Sequence, residues 1–309
     1  MTPAFGRALG IDIGGTKIAV AAVERTGGIL GEATVATESE RGFASGIRRI
    51  LDTAAVVLAD AAWTARDLDG VGIGCAGPVD PVRGTIHNPH TLPGWPDADI
   101  VTPLREALGC PVVLENDADM ALLGERESGA GRGFDPVVML TFGTGIGGAA
   151  LAGGRLLRGA KGEHPELGHV LVDPQGPPCY CGTSGCFESV ASGSALAAAA
   201  RAAGLEDAPF LLARALEGDA DAQRLRAVAL AATARATWTI LHALLPERLV
   251  LGGGMMDEHY EVFAAAATEA IAQATLIPKG CVTVVRAQLG SRAGVVGAAS
   301  AVWNPQRRE

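Results

Sequence analysis

The sequence predicts an α/β protein that uses one order of elements twice, giving two lobes with a cleft between them. Two observations carry this expectation: the order strand–strand–strand–helix–strand–helix recurs along the 309 residues, and each occurrence opens on a hairpin punctuated by glycine. A third supports it: hydrophobic residues make up 48% of the chain and charged residues 19%, enough apolar material for a sizeable core. The expected lobes are 1–115, joined by a C-terminal helix at 293–309, and 116–292.

Residues 7–23, RALGIDIGGTKIAVAAV, form two short apolar runs that meet at Gly14-Gly15, which suits two buried strands and a tight turn. A turn at Thr26-Gly27-Gly28 leads to a third strand near 29–36. From Phe43 to about Ala62, Ile47, Ile50, Leu51, Ala54 and Leu58 recur at helical spacing. A strand at 70–75 and a Gly/Pro-rich loop follow, then a helix at 103–108, a strand at 111–114 and a helix at 118–128. The order restarts at 137–152 with a second Gly-rich hairpin, and a third strand is expected near 169–172. Helices are predicted at 192–203 and 208–217, and a long one runs from an Asp219 N-cap to before Pro246. A strand at 248–251, the turn Gly252-Gly253-Gly254, a helix near 258–274, a strand at 282–286 and a terminal helix complete the pattern.

The formal charge of −9 argues against a nucleic-acid footprint, which needs clustered Lys and Arg. No N-terminal run resembles a signal peptide, and no apolar run reaches the roughly 20 residues of a membrane span. Three of the six cysteines, Cys75, Cys110 and Cys281, are scattered in apolar surroundings and read as buried thiols. The expectation is a soluble cytoplasmic protein acting on small molecules.

His169, Cys179, Cys181 and Cys186 form a Cys₃His set suited to a closed structural Zn²⁺ site, with glycines in C-x-C-G-x-x-G-C that let the loop fold around one ion. Glu166 and Glu188 flank this loop and are candidates for accepting hydrogen bonds from vicinal hydroxyls. Asp12-Ile13-Gly14-Gly15-Thr16-Lys17 reads either as a plain hairpin or as a phosphate loop. In the second case the glycine backbone approaches the phosphates, Thr16 and Lys17 add donors, and Asp12 holds Mg²⁺ through water. Gly143, Thr144, Gly145 and Gly147 belong to the matching loop of the second copy, so the two loops together suit a triphosphate. Neither is a Walker A or dinucleotide loop, since a strand rather than a helix follows. Gly253 and Gly254 lie in a run that is either a surface under an adenine or a strand-to-helix turn. Asp117, where a strand ends and a helix begins, is a candidate general base on a hydroxyl or a helix cap.

Taken together, DIGGTK, ENDA, FGTGIGG, ELGH and CYCGTSGCFE resemble the ROK family of sugar kinases and sugar-responsive repressors, from Gly10 to about Gly297. The resemblance implies a duplicated actin-like ATPase (ribonuclease H-like) fold, ATP with Mg²⁺, phosphorylation of a hexose at its 6-hydroxyl, and a homodimer or higher homo-oligomer. By motif it assigns Asp117 as the base, Asn116, Glu166, His169 and Glu188 to the sugar, Gly77 to the sugar pocket wall, and the loops at Gly14 and Gly145 to phosphates. Only about eight residues precede the first strand, so a repressor's helix-turn-helix is not expected. Asn88 to Trp95 and the cysteine loop are similar to bacterial glucokinases, whereas HPELGH is similar to the family's fructokinases. DPQGPPCYCG resembles N-acetylmannosamine kinases. Glucose is therefore the expected substrate, with N-acetylmannosamine, N-acetylglucosamine or fructose, or a non-catalytic sugar-binding regulator, as alternatives.

Overall fold

In a computed structural model, residues 6–205 and 218–304 are described. Backbone contacts divide the chain into two units, one of Met1–Gly133, Arg155–His164 and Ser291–Glu309, the other of Phe134–Gly154 and Pro165–Gly290. The helix expected at 208–217 lies outside the described residues.

In the first unit, β1 (Arg7–Ile13), β2 (Lys17–Glu24) and β3 (Ile29–Ala36) form the expected meander, and α1 (Phe43–Asp60) leads to β4 (Gly70–Cys75). The stretch between β4 and α2, which begins with the expected Gly/Pro-rich loop, contains three two-residue strands, β5 (Val79–Asp80), β6 (Thr85–Ile86) and β7 (Ala98–Asp99), in a small sheet of their own. Strands this short leave no readable alternation. α2 (Val101–Leu108) begins two residues before Pro103, where Asp99 Oδ1 accepts the Thr102 N–H at 3.0 Å. β8 (Val112–Asn116) and α3 (Asp117–Ser128) follow. The main sheet has the order β3-β2-β1-β4-β8, with β1, β4 and β8 parallel and β2 and β3 antiparallel.

β1, β2 and β4 are buried on both faces, which explains their continuous apolar runs, whereas the edge strand β3 alternates between half-buried and exposed residues. Leu9, Ile11 and Ile13 pack with Ile50, Ala54 and Val57 of α1, while Ala8, Ala21 and Val23 pack with Val295 and Ala299 from the far end of the chain. Each fully buried Ile or Leu contributes about 1.5–3 kcal/mol. The second face admits a helix only at very short range. A Cβ on Gly10 or Gly72 would lie 1.9 and 1.7 Å from the carbonyl oxygens of Val295 and Ala298, so glycine in these strands marks close backbone approach.

In the second unit, β9 (Val137–Phe142) and β10 (Ile146–Ala152) form the second hairpin; the two-residue strand that follows in sequence, β11 (Arg155–Leu156), belongs to the first unit. No strand forms at 169–172. Leu167–His169 is a 3₁₀ turn, and Leu171 makes only an isolated bridge to Cys186. The helix expected at 192–203 forms as α5 (Gly193–Ala202), capped by Ser192, and a short helix not expected from sequence, α4 (Phe187–Ala191), precedes it. α6 (Ala220–Leu244) starts at Asp219, whose carboxylate accepts the Ala222 N–H at 3.0 Å. β12 (Arg248–Gly252), α7 (Met255–Gln273) and β13 (Thr283–Arg286) complete the unit, with β10, β9, β12 and β13 side by side in that order. The core gathers around Phe142, Phe187 and Phe263, whose rings pack edge-on or tilted at 5.2–5.6 Å. Among the described residues, α6 is long and apolar enough on average to cross a membrane, but it carries Arg224, Arg226 and Arg235 and packs Ala229, Ala232, Ala236 and Ile240 into this core. Cys75 and Cys110 are buried as expected; Cys281 is exposed, in the turn before β13.

α8 (Ala293–Trp303) belongs to the first unit, where it packs on β1, β4 and α3. α3 therefore lies in the first unit, not in the second lobe where the sequence places it. The physical reason is a glycine-on-backbone seam: a Cβ on Gly124 would sit 2.3 Å from the Ala293 oxygen, and one on Gly297 would sit 1.6 Å from the Met120 oxygen.

Candidate active site

Strand register assembles the first group of residues. Parallel pairing sets Asp12 opposite Gly74 and Ile13 opposite Cys75, and Cys75 opposite Asn116. The segments that follow, Gly14–Lys17, Ala76–Gly77 and Asp117, thus emerge at the carboxyl end of one sheet, the usual place for ligand contacts in α/β proteins. The Gly14 N–H donates to the Lys17 carbonyl at 3.0 Å, closing the hairpin turn, and Thr37 Oγ1 donates to the Gly14 carbonyl at 2.7 Å. Thr16 and Lys17 are exposed at its tip.

Asn116 caps α3, its Oδ1 accepting the N–H groups of Ala118 at 2.8 Å and Asp119 at 3.4 Å. Capping thus falls to Asn116, and Asp117 is the first helical residue, with Oδ1 also accepting from Ala118 at 2.8 Å. A Cβ on Gly77 would meet Asn116 Nδ2 at 2.8 Å, so Gly77 lies flat on that amide. Asn88, which the sequence reading left without a role, organises this corner. It is buried, its Nδ2 donates to the carbonyls of Ala76 and Gly77, and its Oδ1 accepts the N–H groups of His90 and Thr91. Thr91 in turn lies where a Cβ on Gly15 would go, 2.7 Å from its Cγ2.

Asp12 is partly exposed by surface area yet packed deep in protein, its carboxylate pressed by the Cα of Gly294. Burial first, and the negative charge of Asp117 second, push its pKa up to about 7, while Lys17 pulls the other way. An anionic pair held this way at a sheet end suits a divalent cation.

A second cluster joins strand end, helix start and the segment Arg155–His164. Arg158 forks between two buried carboxylates, Glu115 Oε2 and Asp119 Oδ2, both at 2.8 Å. His164 Nδ1 lies 2.8 Å from the same Asp119 oxygen. Arg158 and Asp119 belong to no recognisable motif, because the partners lie about forty residues apart and no spacing signals them.

In the second unit, the turn from Gly143 to Gly145 closes with the Gly143 N–H on the Gly145 carbonyl at 2.9 Å. The start of α5 holds it: the Gly193 N–H donates to Gly143 O at 2.9 Å and Ser194 Oγ to Thr144 O at 2.7 Å. Gly147 is outside the turn, in β10 opposite Thr141. Gly253, at φ 90°, presses against the backbone of Phe142, and Gly254 caps α7, so that run is a strand-to-helix turn lying against the Gly143 loop. Glu188 Oε2 accepts the Ile146 N–H at 2.8 Å, and a Cβ on Gly145 would lie 2.3 Å from the same atom.

Glu166 opens the 3₁₀ turn that carries His169, and Gly168 fits where a Cβ would meet the Ile146 oxygen at 1.8 Å. The ligand atoms of His169, Cys179, Cys181 and Cys186 all lie within 4.8 Å of one another, with His169 Nδ1 3.4 Å from Cys179 Sγ and Cys181 Sγ 3.3 Å from Cys186 Sγ. A tetrahedral zinc with bonds of about 2.0–2.3 Å needs ligand separations of about 3.5–3.8 Å, so the set fits the ion. Burial and the neighbouring thiols push Cys186 up to about 12, a charge conflict that a bound dication would remove. Tyr180, between two of the cysteines, packs edge-on to His169, with its hydroxyl 3.1 Å from Nε2. Burial, then Glu188, raises that phenol above its ordinary range.

A family model described as "ROK family" matches residues 8–304. A glucokinase of Thermotoga maritima is 36% identical over 310 residues, covering 95% of this chain and 96% of its own. An N-acetylmannosamine kinase of Yersinia pestis is 34% identical over 254 residues, 81% of this chain and 84% of its own. The crystal structure of a ROK family glucokinase from Streptomyces griseus, in complex with glucose and AMPPNP, superposes with a TM-score of 0.80 at 33% identity, covering 97% of this chain and all of that one (100%).

Proposed function

The chain belongs to the ROK family and has its actin-like ATPase fold, and from that premise we propose that it is an ATP-dependent hexose kinase that phosphorylates glucose at the 6-hydroxyl. The observation that carries this reading is the strand register, which delivers Asp12, Gly77, Asn116 and Asp117 to one sheet end. Phosphoryl transfer asks the protein mainly for positioning and charge stabilisation, and fixed strand ends are suited to both.

In this reading Asp117 accepts the proton of the attacking hydroxyl, since Asn116 serves as the cap. The Asn116 amide, Glu166, His169 and Glu188 bind sugar hydroxyls, and Gly77 lines the ring. Phosphates meet the turns at Gly14–Lys17 and Gly143–Gly145, and Gly253 and Gly254 support the purine. Gly147 supports its loop from within the strand. Asp12 would hold Mg²⁺ through water, and that ion would supply charge neutralisation on the phosphates. Zn²⁺ at the Cys₃His set would fix Glu166, His169 and Glu188 without taking part in the chemistry. His169 would bind through Nδ1, which leaves Nε2, now facing Tyr180, for a hydroxyl. Self-association as a homodimer belongs to the same reading and is tested by sedimentation.

A second reading, phosphorylation of N-acetylmannosamine, is supported by the comparable identity to that kinase. A coupled ADP-release assay across glucose, mannose, fructose, N-acetylmannosamine and N-acetylglucosamine decides among these. Glucose should give the highest kcat/KM; ATP turnover without sugar, or none with any, would refute the kinase reading.

A further inference from the structure

The ion cluster at Glu115, Asp119, Arg158 and His164 is left unused by the mechanism. Asp119 is about as buried as a side chain becomes, 1% exposed, and Arg158 and His164 both spend donors on one of its oxygens. Its other oxygen, Oδ1, is buried with no hydrogen-bond partner among the described residues. Such arrays are poor instruments of stability, because desolvation offsets their attraction; this one ties Arg158 and His164 to a single carboxylate oxygen.

Two features say what that geometry holds. Arg158 and His164 are two anchors of one short loop that also bonds to itself, Gly159 N–H to Glu163 O at 2.8 Å and Lys161 N–H to Glu163 Oε2 at 2.9 Å. Beyond the second anchor, one residue, Pro165, separates His164 from Glu166. The ring fixes φ at Pro165 and restricts ψ at His164, so few backbone torsions remain between the imidazole and Glu166. On its other side Glu166 runs into the 3₁₀ turn, where Leu167 N–H bonds to Pro165 O at 3.1 Å and His169 N–H to Glu166 O at 3.0 Å. Glu166 is held from both directions.

We propose that His164 is a positioning residue for Glu166: its Nδ1–H bond to Asp119 fixes where the sugar-binding carboxylate stands. The inference rests on the hexose kinase reading for the role of Glu166, and it makes His164 a determinant of sugar affinity that never touches the sugar.

The test compares the parent, His164→Ala and His164→Asn. The Asn amide places a donor at the same bond distance from the backbone as Nδ1. Kinetics with glucose and ATP are measured alongside calorimetric glucose binding without ATP. A hydrogen bond to a buried charge lost from the anchor raises the glucose KM and Kd of His164→Ala about tenfold or more. The ATP KM should stay within about twofold, and His164→Asn should return glucose affinity to within about threefold of the parent. Unchanged glucose affinity, parallel rises for glucose and ATP, or no recovery in the Asn variant overturns the proposal. If His164→Ala does not fold, His164→Gln, whose amide reaches one bond farther, is read on the same axes and should weaken glucose binding at least threefold; no change overturns the proposal. A parent that binds glucose without turnover fails the kinase reading alone, and His164 is then judged by Kd. A parent that neither binds nor turns over glucose overturns both.

Discussion

Replacing Asp12 by Asn should stabilise the metal- and nucleotide-free protein, and by an amount that grows with pH. The native pKa of this carboxyl is raised from 3.8 to about 7, with burial the largest cause and the Asp117 charge second. Between those values the native state holds a proton that the unfolded chain has lost. Stability from this group is therefore fully present below about 3.8 and drains away as pH rises through about 7. Three units at about 1.4 kcal/mol each set a ceiling of about 4 kcal/mol, of which about 3 kcal/mol falls between pH 4.5 and 7.5. Partial exposure of Asp12 screens the true figure below that ceiling. The Asn side chain has the same shape and does not titrate, so the variant should lack this slope. Urea unfolding of both proteins at the two pH values, followed by circular dichroism, measures it. The variant's advantage should widen markedly from the lower to the higher pH; an equal difference at both would refute a strained carboxylate at this strand end.

Three further outcomes follow from the geometry. Asp117→Ala should lower kcat by about 10²-fold or more, the scale of a general base, while calorimetry still detects glucose; ordinary turnover would remove Asp117 from the mechanism. Cys181→Ser should lose zinc by elemental analysis and weaken glucose binding, and a zinc-free protein with undiminished affinity would separate the loop from the pocket. Gly297→Ala puts a methyl 1.6 Å from the Met120 oxygen, so the seam must open at a cost of about 1–3 kcal/mol or more. Its melting temperature should fall by several degrees, and a neutral effect would mean that α8 slides freely on α3.

Much of this architecture is readable in the chain because period and punctuation are local. The Gly-broken hairpins, the Asp219 cap and the Cys₃His spacing each state their consequence within a few residues. What escaped reading depends on distant partners. The strand expected at 169–172 has the right composition, but His169 closes a 3₁₀ turn and Leu171 finds only an isolated bridge to Cys186. Cys281 sits in an apolar stretch yet is exposed, since β13 begins only at Thr283. Asn88 reads as one more polar loop residue until its four hydrogen bonds are traced. The place of α3 is set by glycines of α8 more than 160 residues away, which no window on the sequence spans.

That seam also orders the birth of the protein. Residues 134–154 and 165–290 are spelled out between the sheet that carries Asp12 and the helix that covers its second face. On the ribosome, Ala8, Ala21 and Val23 must wait, uncovered, until Val295 and Ala299 have been made. The inserted unit closes its own core from residues synthesised earlier, so it is the part free to fold first. The strand end proposed to bind magnesium and sugar is therefore covered by its helix only after the whole inserted unit has been made.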